Sequence, residues 1–201
     1  MRDSRHPDRC RAEVKITAMI EERWPQLTIA APRAALGRFN ALFQRGVATR
    51  AVCGSSVYSF LADELGLAAD YVRERITTVF LDGQVVDALE DAVLQDGSLL
   101  ALSAAMPGLA GATLRRSGPL AVMRAAITRT ADRASARPPP VGTSIVRIKL
   151  FNLLLDEIGP VLLEHGIVLQ RAEAWGALGD RAEELSELPA GEVVELRVRL
   201  S

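Results

Sequence analysis

The segment Val79 to Leu102, VFLDGQVVDALEDAVLQDGSLLAL, sets two Asp-Gly pairs between apolar runs and restricts the fold more than any other stretch. Ile76 to Leu81 is β-branched and aromatic, which favours a strand, and Asp82-Gly83 turns it back into Gln84-Val85-Val86. Asp96-Gly97 then opens a second apolar strand over Ser98 to Ser103. Upstream, Gly54-Ser55-Ser56 offers a serine cap for a helix over Val57, Phe60, Leu61 and Leu65, with Gly66 as its stop. Phe39, Ala41 and Phe43 alternate with Arg38, Asn40 and Leu42, so Arg33 to Phe43 reads as a strand paired with Val47 to Cys53, although Ala34 to Leu42 also passes as a short helix.

The rest of the chain divides by pattern. From Asp8 to Trp24, Ala12, Ile16, Met19, Ile20 and Trp24 recur at helical spacing between Pro7 and Pro25, predicting an amphipathic helix. A glycine- and arginine-containing crossover, 106–140, includes a helix predicted over Leu120 to Arg133 and ends in Pro138-Pro139-Pro140, which neither helix nor central strand accommodates. Beyond it, Ile145 to Phe151 and His165 to Leu169 read as strands, Ala172 to Leu185 as a helix, and Val193 to Leu200 as a closing strand. The expectation is an α+β protein in four parts: tail and helix 1–26, core domain 27–105, crossover 106–140, and a small ββαβ unit 141–201.

Gly54-Ser55-Ser56-Val57, Val79 to Val86 and Leu94 to Leu102 together resemble the ThiS and MoaD group of ubiquitin-like β-grasp proteins. The resemblance covers residues 33 to 111. It implies a mixed sheet wrapped round one helix and, in working members, a sulfur carrier whose terminal Gly-Gly is adenylated by an E1-like enzyme. Here Met106-Pro107-Gly108-Leu109-Ala110-Gly111 stands in that place, without adjacent glycines, and the chain continues to Ser201. Carrier or modifier chemistry would therefore require cleavage near Gly111.

Charge and composition narrow the function further. With 24 basic and 25 acidic residues the net charge is −1, which argues against the phosphate neutralisation that drives nucleic-acid binding. Cys10 and Cys53 with His6 and His165 supply neither a disulfide framework nor an evident zinc site. The start lacks an apolar run of signal length and no segment is long enough to span a bilayer, so a cytoplasmic place without membrane contact is expected.

Gly108, Gly111, Arg115, Arg116 and Ser117, ahead of Pro119, could combine backbone amides with two guanidiniums to hold a phosphate or carboxylate. Cys53 near a helix start could be an activated thiol, although a small buried residue is the simpler role. Asp82, Asp87, Glu90, Asp91 and Asp96 fit exposed turns better than a calcium loop. The leading expectation is a noncatalytic binding or assembly module with no cofactor, acting on a protein partner or on itself through an exposed sheet strand near Thr77 to Leu81 and the tail Met106 to Arg116. The alternatives are a sulfur-carrier precursor partnered by an E1-like enzyme, and a small anion or nucleotide binder using Arg115 and Arg116.

Overall fold

The computed structural model describes residues 24–104, 108–116, 118–120, 123, 128 and 142–201. Its strands are β1 (Gln26–Ala31), β2 (Val47–Val52), β3 (Thr78–Leu81), β4 (Gln84–Val85), β5 (Leu99–Ser103), β6 (Thr143–Phe151), β7 (Ile167–Gln170) and β8 (Val193–Leu200). They form one mixed eight-stranded sheet in the order β1-β8-β7-β2-β6-β5-β3-β4. The chain is α+β. The amphipathic helix expected over Asp8 to Trp24, the triple proline and nearly all of the helix expected over Leu120 to Arg133 lie outside the described residues.

Strand β6 joins regions that the sequence pattern sets apart. It pairs antiparallel with β2, Thr49 opposite Val146, and parallel with β5, Leu100 opposite Ile148. The second Asp-Gly turn receives it. Gly97, whose φ of 81° suits a residue without Cβ, donates its N–H to Ile145 O at 2.8 Å. Asp96 Oδ1 accepts from Ile145 N at 2.8 Å, and Arg147 N donates to Ser98 O at the same distance.

Helices cover one face of the sheet. Short α1 (Asn40–Arg45) follows a 3-10 segment, Arg33–Phe39, and Leu36, Phe39, Leu42 and Phe43 face inward at helical spacing. The helical reading of Ala34 to Leu42 is therefore the observed one; the strand is found instead at β1, where the sequence suggested none. The Ser56 cap is present, its Oγ accepting from Ser59 N at 3.0 Å, and α2 (Val57–Ser59) runs into a π-helical turn, Phe60–Glu64.

The C-terminal unit also differs from expectation. Helix α4 (Leu154–His165) separates β6 from β7, giving strand, helix, strand, helix, strand rather than ββαβ. Leu154, Ile158, Leu162 and Leu163 sit on its buried stripe. Gly159 lets it approach the first helical segment: a Cβ there would lie 3.1 Å from Phe43 Cε2 and 3.2 Å from Leu36 Cδ1. After β7, α5 (Arg171–Leu178) continues as a 3-10 segment, Gly179–Glu187, and completes the layer.

Candidate functional site

The face of the sheet turned away from the helices carries the first candidate. Alternation along β6 buries Ser144, Val146, Ile148 and Leu150 and turns Ile145, Arg147, Lys149 and Phe151 outward. Pairing then fixes their neighbours: Leu99 opposite Arg147, Ala101 opposite Lys149, Ser103 opposite Phe151, and Phe80 opposite Ala101. The small Ala101 between larger residues leaves a cleft of about 500 Å³. Phe80, Leu99, Ala101 and Phe151 provide its apolar surface, with Thr78, Ser103, Lys149 and Asn152 as polar members. Phe151 remains 38% exposed and nearby Leu153 51%, so apolar surface continues past the cleft at the end of β6.

Three polar features bear on what the cleft can hold. Thr78 is 1% exposed and its Oγ1 has no hydrogen-bond partner. Asn152, at φ 56°, turns its Nδ2 onto Ser103 Oγ at 3.2 Å. No hydrogen bond or ion pair among the described residues occupies the Lys149 ammonium. Its stem lies against the backbone of Gly46, where a Cβ would come within 3.1 Å of Lys149 Cγ.

A second, more polar hollow of about 490 Å³ gathers part of the group singled out in the sequence. Gly108, Gly111 and Arg115 line it with Glu74, Arg75 and Thr77. Gly108 opens helix α3 (Gly108–Leu114), and Gly111 is buried within that helix. Arg116 does other work. Its Nε donates to Ile76 O at 3.0 Å and its Nη2 to Val72 O and Arg73 O at 2.9 Å, while its N–H reaches Thr77 O at 2.7 Å. The side chain thus caps carbonyls within and just after the π-helical turn Tyr71–Arg75. Burial pulls the guanidinium below the ordinary arginine range, against the opposing charges of Glu90 and Asp87. Ser117 lies outside the described residues.

Arg75 at this hollow is engaged by Glu157 of α4, through Nε at 2.9 Å and through Nη2, and the Tyr71 hydroxyl donates to Glu157 Oε2 at 2.7 Å. The bonds from Arg75 hold the Glu157 carboxyl below its usual range, although partial burial works the other way. Burial first, and then the hydrogen bond to Glu157, push the Tyr71 phenol up. A depressed folded-state pKa stabilises the fold above the unfolded carboxylate value of about 4 and stops doing so as pH falls through the folded value. Glu157→Gln is therefore expected to flatten the acid limb of a stability-against-pH curve below about pH 4. Urea titrations at several pH values check this; parallel acid limbs would refute it.

The remaining sequence candidates have structural partners. Cys53 is a half-buried free thiol whose backbone N–H bonds Gly142 O at 2.9 Å. His165, which the sequence pattern places at the start of a strand, is instead the last residue of α4, bonded through Nε2 to Arg50 O at 3.0 Å and edge-on to Phe60. Asp82 Oδ1 accepts from Leu99 N at 2.8 Å, tying the first Asp-Gly turn to β5. Among the described residues no three of His, Cys, Asp or Glu gather as metal ligands, and no helix is long and apolar enough to cross a membrane. Cys10 and His6 lie outside those residues.

Phe80 lies within the strand Thr77 to Leu81 that the sequence offers as a contact surface, whereas Lys149 and Phe151 were not singled out by the sequence as site residues. Their signal was the alternation of β6, in which an aromatic and a lysine occupy outward positions. Compared with family models, curated proteins and solved structures, the chain matches none.

Proposed function

We propose that this chain is a β-grasp-like, noncatalytic binding module that docks an apolar group of a partner protein, or of a second copy, in the cleft between β3, β5 and β6. The β-grasp part of the reading draws support from the mixed sheet β2-β6-β5-β3-β4 with the capped α2 segment following β2. In this arrangement residues 143–151 supply a strand that the resemblance alone would have sought before Val47. Strand β3 is an inner strand, paired on both sides, so contact falls on the face that Phe80 shares rather than on its backbone edge.

The observation that carries the proposal is the cleft itself: an apolar recess of about 500 Å³ between β3, β5 and β6. Burying one large apolar side chain there contributes roughly 1.5–3 kcal/mol, enough to anchor a contact whose remaining area is polar. The aromatic photocrosslinker p-benzoylphenylalanine placed at Phe151 is expected to yield a defined adduct that disappears when Ala101→Trp fills the recess. The same probe at Glu183, exposed on the helical layer, serves as the control. Equal adducts at both positions, or an adduct indifferent to Ala101→Trp, would remove the cleft from the account.

A further inference from the structure

We infer that the cleft between β3, β5 and β6 is a binding site for a small apolar monocarboxylate, its chain lying on Phe80, Leu99, Ala101 and Phe151 and its carboxylate paired with Lys149. This deepens the proposed function and rests on the cleft being that module's binding site. A volume of about 500 Å³ lies within the ~300–1,000 Å³ range of small-ligand sites, which combine an apolar lining with a few placed polar groups.

Lys149 gives the ligand its polar end. It lines the cleft at the β6 side, and no carboxylate among the described residues engages its ammonium. The turn carboxylate of Asp82 accepts from Leu99 N and Ser98 Oγ. The Thr78 hydroxyl, fully buried at the same recess, lacks a partner, and a buried polar atom left unsatisfied points to a group that the protein alone does not supply. A carboxylate accepts from the Lys149 ammonium and balances its charge. A neutral head accepts without balancing the charge, and a cationic head is repelled. Arg147, exposed on the same face opposite Leu99, adds a second positive charge beside the recess and favours an anion further.

Titration calorimetry on the full chain with decanoate, decanol and decylamine tests the inference. Decanoate is expected to bind wild type saturably and at least about tenfold more tightly than decanol, the usual scale of a charge-assisted contact. Lys149→Met, which keeps the stem, should lose that preference while binding decanol as wild type does. Ala101→Trp should abolish both, with circular dichroism confirming that each variant is folded. Failure of decanoate to saturate wild type, or equal decanoate affinity in wild type and Lys149→Met, overturns the monocarboxylate site. Equal affinity for decanol and decanoate in wild type also overturns it, yet leaves the apolar docking cleft standing; that reading falls only with the Phe151 crosslink.

Discussion

Ile148→Ala is expected to lower stability by about 3 kcal/mol, within the ~2–5 kcal/mol range for truncating a fully buried Ile, and to reduce Tm by roughly 10 °C for a chain of this size. Ile148 is wholly buried at the middle of β6, opposite Val47 on one side and Leu100 on the other. Because β6 lies between β2 and β5 and joins the β1-β8-β7-β2 half of the sheet to the β5-β3-β4 half, the loss should appear throughout one sheet. Hydrogen exchange of the β3 and β5 amides should accelerate together with that of β7 and β8. If residues 143–201 formed a separate folding unit, β3 and β5 would exchange at the wild-type rate.

The second large effect concerns a carboxylate on the outer face. Glu195 of β8 is 2% exposed and meets Arg50 Nε of β2 at 3.0 Å and Arg197 Nη2 at 3.2 Å, while Gln26 Nε2 approaches at 3.4 Å. The Arg50 guanidinium also stands over the Trp24 ring at 5.4 Å. Removing one partner leaves a buried charge undersatisfied, which for a fully buried pair costs ~3–5 kcal/mol. With Arg197 still in place, Arg50→Met should cost about 2 kcal/mol. Replacing both members with apolar residues, Arg50→Met with Glu195→Leu, should recover most of that loss, because no charge then remains buried. Urea unfolding of the two variants decides it. A double variant less stable than Arg50→Met would show that the ion pair stabilises the sheet outright.

What the sequence disclosed follows the range of the interactions involved. The two Asp-Gly turns and the Ser56 cap depend on residues a few positions apart, so they were legible as local chemistry. Helix α4 was missed because Pro160 interrupts its pattern; the buried stripe from Leu154 to Leu163 outweighs the lost backbone bond. The place of β6 between β2 and β5 was illegible for another reason: alternation along a strand reveals a buried face but never its neighbours. The site repeats the distinction. Gly108, Gly111 and Arg115 are close in sequence and line one hollow, whereas the role of Arg116 depends on carbonyls of Val72, Arg73 and Ile76. The cleft exists only once Phe80, Ala101 and Lys149 stand side by side on three different strands.

The central claim is that residues 143–151 form the strand joining the two parts of the chain into one sheet. Backbone nuclear Overhauser contacts in isotope-labelled full-length protein test it directly. The account predicts cross-strand contacts between Thr49 and Val146 and between Leu102 and Leu150, in antiparallel and parallel patterns respectively. Contacts running directly between Val47–Val52 and Leu99–Ser103, with 143–151 paired elsewhere, would contradict it.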